Sequence, residues 1–148
     1  MERSHMVDEN YMETHLQFIE NAITRMGQNS FQAKAWCVTV VSALLAYFLE
    51  KGTKTPGMHD LRAFAIGALV IVFFGVIDAY YLYLERGYRS LYNIVAGLDE
   101  ESTARPLDMS IPKGSRGFGN YVKAARSISV FLFYLALIVL TALIVFIG

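Results

Sequence analysis

An uninterrupted apolar run near the end of this chain constrains its fold more than any other feature. Residues 127–147 read SISVFLFYLALIVLTALIVFI and contain no Asp, Glu, Lys or Arg. A bilayer core about 30 Å thick needs roughly 20 apolar helical residues, so this run has the length of a membrane-spanning helix. A buried helix of a soluble protein is the alternative interpretation. We expect the lipid bilayer to be a partner of this chain.

Two earlier runs predict two further spans. Residues 63–84 contain one charge, Asp78, in 22 positions, and residues 35–49 form a shorter uncharged run of 15. Fifteen helical residues cover only about 22 Å. However, Lys34 can extend its ammonium toward the bilayer surface, and Trp36 lies where interfacial aromatic residues are common. Three membrane spans are therefore predicted.

Composition excludes several classes of function. Hydrophobic residues make up 55% of the chain and charged residues 18%, and the mean hydropathy is +0.39, so the chain is more apolar than ordinary soluble domains. Thirteen basic residues balance thirteen acidic ones, which argues against a nucleic-acid partner. The single cysteine, Cys37, excludes an internal disulfide and a cysteine-cluster metal site. Phosphate-loop, dinucleotide, hydrolase and zinc-protease motifs are absent from the sequence, so we expect no cofactor and no enzyme.

The polar parts of the chain continue the helical periodicity. Apolar residues recur at spacings of 4, 3, 4 and 3 both before the first span and after the second. The first seam is Met12, Leu16, Ile19, Ile23 and Met26, and the second is Leu84, Tyr88, Leu91, Val95 and Leu98. Two matched helices joined by a Gly/Pro-containing turn would pack these seams together in a coiled-coil-like hairpin. The predicted fold is therefore an all-α membrane protein with a long antiparallel helical hairpin, half in the membrane and half in the cytoplasm, and a third, C-terminal transmembrane helix.

The predicted organisation has six segments. The first is a disordered, tag-like N-terminus, because Ser-His-Met at positions 4–6 matches a cloning junction. The others are a cytoplasmic amphipathic helix continuing into the first span, an external loop, the second span continuing into a cytoplasmic helix, a cytoplasmic loop, and the third span. Their bounds are 1–9, 10–50, 51–60, 61–98, 99–119 and 120–148.

The distribution of basic residues predicts the orientation. Ten Lys and Arg residues lie before the first span or between the second and third, against three in the loop between the first two. The positive-inside rule therefore places the N-terminus in the cytoplasm and the C-terminus outside the bacterial inner membrane.

Asp78 is the main candidate for an intramembrane functional residue. An ionisable group roughly 9 Å deep is costly unless it is paired, hydrated or protonated. It would either face a water-filled path in an oligomer, with Thr39 and Ser42 as further polar candidates, or bond to Trp36, Thr39 or a tyrosine across the hairpin. Alignment of the two helices favours the second interpretation, because Asp78 then faces the region from Trp36 to Ser42.

Other residues are candidates for pairing and packing. Lys34 and Glu85 are predicted to pair across the hairpin next to Trp36, and Glu85 and Arg89 form an i, i+4 pair. Small residues recur at multiples of four on the second span, and such residues let helices approach closely in lipid. They are Ala63, Gly67, Gly75 and Ala79. They would pack either within the hairpin or against a neighbouring subunit.

Two segments of the hairpin resemble a widespread group of small bacterial membrane proteins. The first pattern, N-S-F…K-x-W-x-V-T, is carried by residues 29–39, and the second, D-x-Y-Y-L…E-R…R-x-L-Y, by residues 78–92. The later LDMSI at residues 107–111 fits as well. The architecture is also similar to the SLATT class, which implies a pore-forming effector of a bacterial antiviral defence system. The third span departs from the two-span plan of that class.

Two functions are compatible with the sequence. The first is a homo-oligomeric membrane effector or channel, gated through the cytoplasmic hairpin. One copy with three spans cannot enclose an aqueous path, so several copies would be needed. The second is a non-conducting anchor whose hairpin docks a cytoplasmic sensor or partner protein.

Overall fold

Most of the part of the chain that the structure describes is helical. A computed structural model describes residues 2–51, 58–98 and 107–147, with side chains for 10–50, 61–98 and 107–146. Four α-helices and one 3₁₀ turn are present, and these residues contain no strand. The helices are α1 (Glu2–Lys51), α2 (Met58–Val95), α3 (Phe118–Ala125) and α4 (Ile128–Ile147), and the turn is Lys113–Ser115. The predicted all-α fold is confirmed.

The first two helices form the predicted hairpin. With 50 and 38 residues, α1 and α2 are about 75 and 57 Å long. Ile19 and Leu91, one from each seam, are buried where the helices pack together. Met12 and Leu98 lie at the ends of the seams and are 50% and 74% exposed.

The helix ends differ from the predicted bounds. α1 begins at Glu2 instead of residue 10, so positions 2–9 are helical where a disordered terminus was expected. The helix can extend this far because no proline or glycine precedes Gly27. α2 ends three residues early because Gly97, at φ +70°, donates to the Ile94 carbonyl while Leu98 donates to that of Asn93, a Schellman motif. Residues 52–57 and 99–106, in the two predicted loops, lie outside the described residues.

The predicted third helix is two helices. α3 ends at Ala125, and Arg126 leaves the helical conformation at φ −83°, ψ 5°. The Ser127 carbonyl then accepts hydrogen bonds from Val130 and Phe131 and so begins α4. Arg86 of α2 stabilises the break, because its guanidinium donates hydrogen bonds to the Lys123 carbonyl and to the Ser127 hydroxyl. These bonds satisfy groups that a helix terminus leaves without partners.

α4 packs antiparallel along α2. The rings of Phe64 and Phe146 lie 5.6 Å apart at one end of this contact, and Gly75 lies against Tyr134 toward the other. Residues of α1, α2 and α4 share one apolar core, whose buried members are Cys37, Val41, Ile71, Ala79, Val130 and Tyr134. α4 therefore buries one face within the protein.

Three of the described helices are long and apolar enough to cross a membrane. The qualifying segments are Asn10–Glu50, Leu61–Val95 and Ile128–Phe146. With 20 residues, α4 is about 30 Å long, which matches the hydrocarbon thickness of a bilayer. The length and composition of these helices support a membrane protein.

Candidate functional site

A buried ion pair lies where α1, α2 and α4 meet. Asp78 of α2 is fully buried, and its Oδ2 lies 2.5 Å from the Nζ of Lys34 on α1. Its Oδ1 accepts a hydrogen bond of 2.5 Å from the hydroxyl of Ser30, one turn before Lys34. Both carboxylate oxygens therefore have a polar neighbour on the facing helix.

α4 closes this site from the third side. The Lys34 ammonium lies 6.0 Å from the centre of the Phe133 ring and donates to the Ser30 hydroxyl at 3.2 Å. Tyr134, the next residue of α4, is buried in the shared core and donates its hydroxyl hydrogen to the Phe74 carbonyl at 3.3 Å. A buried carboxylate is tolerated only when paired and hydrogen-bonded, so this arrangement favours the structural interpretation of Asp78.

The pairing of charges corrects the register that the sequence predicts. Lys34 pairs with Asp78, whereas Glu85 pairs with Arg89 on its own helix at 2.8 Å and lies near Gly27 of α1. The helices are therefore displaced by one to two turns from the predicted alignment, in which Glu85 faces residues 31–34. The buried carboxylate has the greater need of a cation, since Glu85 already has Arg89 one turn away.

The remaining polar candidates of the first span lie on its outer surface. Trp36 is 61% exposed, and both Thr39 and Ser42 are exposed. Thr39 donates its hydroxyl hydrogen to the Ala35 carbonyl in its own helix at 3.0 Å. The predicted bond from Asp78 to Trp36 or Thr39 is not formed, because the shifted register brings Ser30 and Lys34 to Asp78 instead.

The outward surface of α1 differs from those of the other two spans. Beside the large exposed side chains of Trp36, Val38, Tyr47 and Leu49, the membrane segment of α1 also exposes small and hydroxyl-bearing residues at helical spacing: Ala35, Thr39, Ser42, Ala43 and Ala46. The outward surface of α2 is mostly large and apolar, with Ile66, Leu69, Val72, Phe73 and Val76. That of α4 carries Phe131, Leu132, Leu135, Val139, Leu140 and Leu143. The five small and hydroxyl-bearing residues of α1 are hereafter the α1 outer stripe.

The small residues of the second span pack within the chain. Ala63 and Ala79 are 4% and 1% exposed. A methyl group added at Gly67 would lie 3.3 Å from Thr141, and one at Gly75 would lie 3.5 Å from the Tyr134 ring. The two glycines thus allow the close approach of α4, whereas the sequence predicted contacts within the hairpin or with a neighbouring subunit.

Segment 107–117 packs along the hairpin, a contact that sequence reasoning missed. Ile111 lies so close to Gly87 of α2 that an added methyl group would be 2.8 Å from it. His15 of α1 forms a hydrogen bond of 3.2 Å with the Asp108 carbonyl, and the Gly117 amide donates to the Tyr83 hydroxyl at 3.3 Å. Gly87, a glycine in the interior of α2 beside the second seam, was the available signal.

The geometry of the ion pair favours a structural role for this site. The described residues hold no group of three metal-ligating side chains. Asp78 is neutralised by Lys34, and Cys37 is fully buried one turn away. Comparison with protein-family models, with curated proteins and with solved structures found no match. The role of these residues therefore has to follow from their geometry.

Proposed function

We propose that this chain is a homo-oligomeric integral membrane effector with channel-like activity. In this proposal it resides in the bacterial inner membrane, with the polar half of the hairpin in the cytoplasm and the C-terminus outside. Several copies surround a path, and the cytoplasmic hairpin gates it. The resemblance to SLATT proteins extends the proposal to a defence role.

The contrast between the outer surfaces of the spans supports this proposal. Small residues favour close helix contacts in lipid, whereas large aliphatic and aromatic side chains are well solvated by acyl chains. The α1 outer stripe therefore faces neighbouring copies, and α2 and α4 face lipid. Thr39 and Ser42 are the polar groups that such an assembly brings to its path, while Asp78 stays inside each protomer.

Two alanines provide a matched test of the assembly. Ala43 lies on the α1 outer stripe and Ala136 on the outward surface of α4, and both are exposed. We expect Ala43→Leu to break the oligomer, because the added isobutyl group holds neighbouring α1 helices apart. Ala136→Leu adds the same group to a lipid-facing surface and leaves the assembly intact.

Native mass in nanodiscs and conductance in planar bilayers measure the result. The proposal requires the wild type and Ala136→Leu to form a defined ring of four or more copies with discrete current steps, and Ala43→Leu to lose both. A wild-type monomer or dimer that never conducts would refute it, as would an Ala43→Leu variant that behaves like the wild type.

A second candidate function, a non-conducting anchor, is supported by the cytoplasmic half of the hairpin. Tyr11, Met12 and Phe18 are each at least 50% exposed there. A neighbouring cleft between the two helices contains apolar and polar groups, namely Glu20, Ile23, Thr24, Arg89, Tyr92 and Asn93. A partner protein would cover this surface. Capture of one soluble protein by the wild type but not by Phe18→Ser, together with the absence of conductance, would favour this function.

A further inference from the structure

Basic residues from two different helices lie at the corner between α3 and α4. The Arg86 guanidinium of α2 reaches the end of α3, where it lies 3.3 Å from the Lys123 carbonyl and 3.1 Å from the Ser127 hydroxyl. Lys123 itself is in the last turn of α3, and Arg126 is the residue that ends the helix. All three basic side chains are exposed. We call Arg86, Lys123 and Arg126 the corner cluster.

The segment of chain that forms this corner is basic. Residues 109–148 contain no Asp or Glu but four basic residues, Lys113, Arg116, Lys123 and Arg126. Both ion pairs found among the described residues, Lys34–Asp78 and Glu85–Arg89, involve other groups. An anion is the natural complement of these exposed cations.

The position of the corner identifies the source of that anion. The uncharged run of α4 begins one residue after Ser127, so the corner cluster lies at the level where a bilayer places its phosphate groups. Phe118 of α3 and Ile128 of α4 are each 80% exposed on either side of it. Exposed apolar side chains beside exposed cations suit the boundary between acyl chains and headgroups.

We propose that the corner cluster binds the headgroup phosphate of an anionic phospholipid, with its acyl chains against Phe118 and Ile128. Arg86 and Arg126 have planar donors that suit phosphate oxygens, and Lys123 adds a compact charge. Bound lipid would fix the angle between α3 and α4. The proposal requires neither oligomer formation nor conductance.

Lipid binding to the detergent-extracted wild type tests this proposal directly. Native mass spectrometry with phosphatidylglycerol or phosphatidylcholine as the probe should show a clear preference for the anionic lipid. Each basic residue near an anionic surface strengthens binding about fivefold, so Lys123→Gln combined with Arg126→Gln should weaken phosphatidylglycerol binding roughly 25-fold. Both side chains are exposed, and the variant should keep the wild-type helix content.

The matched control removes two charges elsewhere. Arg25→Gln combined with Arg89→Gln neutralises two exposed residues of the cytoplasmic hairpin and should leave lipid binding unchanged. Equal binding of the two lipids, or equal losses in the two double variants, would overturn the proposal. Competition by millimolar glycerol phosphate as strong as that by the lipid would also overturn it, since the site would then bind a soluble anion.

Discussion

Removing the cation from the buried ion pair should destabilise the protein more than removing the acid. Lys34→Met leaves the fully buried Asp78 with Ser30 as its hydrogen-bond donor. Asp78→Asn leaves a lysine whose side chain is 17% exposed and can extend its ammonium toward the bilayer surface. The new asparagine keeps an oxygen for the Ser30 hydroxyl. The two single variants should therefore differ in their free energy of unfolding.

The magnitudes follow from burial. Breaking a buried pair and leaving one charge behind costs about 3–5 kcal/mol. We expect at least about 3 kcal/mol for Lys34→Met, and about 1–2 kcal/mol for Asp78→Asn, where a neutral hydrogen bond replaces a charged one. The double variant buries no charge, so its free energy of unfolding should return to within about 1 kcal/mol of the wild type.

Cys37 provides the assay. It is the one cysteine of the chain, is 0% exposed, and lies one turn after Lys34 in the shared core of α1, α2 and α4. A thiol-reactive dye labels it only when these helices open, so the labelling rate reports the opening equilibrium. A loss of about 3 kcal/mol corresponds to labelling roughly 150-fold faster.

The matched control is the exposed pair on α2. Arg89→Gln removes an i, i+4 contact worth about 0.3–0.5 kcal/mol, so labelling should accelerate less than threefold. Labelling of Lys34→Met within threefold of the wild type would refute the reasoning. So would an Asp78→Asn variant less stable than Lys34→Met, because the order of the two depends on which group is buried.

Two further predictions concern glycines at close contacts. Gly87→Ala should destabilise the packing of segment 107–117 by about 1–2 kcal/mol, because the new methyl group would lie 2.8 Å from Ile111. Proteolysis between α2 and α3 should then become faster. If this contact is the cause, a second substitution, Ile111→Ala, should restore the wild-type rate. Gly75→Ala should be tolerated, because its methyl group would lie 3.5 Å from the Tyr134 ring. Gly75→Ile should instead displace α4 and lower the melting temperature of the protein in detergent. Equal melting temperatures for the two variants would contradict this packing.

The three spans and the hairpin were predictable because both depend on local patterns. Span length follows from counting uncharged residues, and the helix faces follow from a 3.6-residue period. Burial of Ile19 and Leu91 agrees with the predicted seams. These features require no knowledge of how far one helix slides along the other.

The register was not predictable from periodicity alone. Lys34 has two acidic candidates on α2, and a shift of one or two turns satisfies the seams almost equally well. The choice of Asp78 over Glu85 depends on burial, which the sequence does not display. Similarly, the positions of Gly67 and Gly75 indicated a close neighbour without identifying α4 as that neighbour. The break at Ser127 depends on Arg86, 41 residues away.

Lys34 divides α1 into two segments of unequal length. Lys34 lies 24 residues from Asn10 and 16 from Glu50, or about 36 and 24 Å along a helix that runs unbroken between them. If α1 rotated as a rigid body by about 5° about Lys34, Asn10 would move about 3 Å and Glu50 about 2 Å in the opposite direction. A small displacement applied at the polar end of the hairpin would thus reach the far end of the first span without unfolding any residue between them.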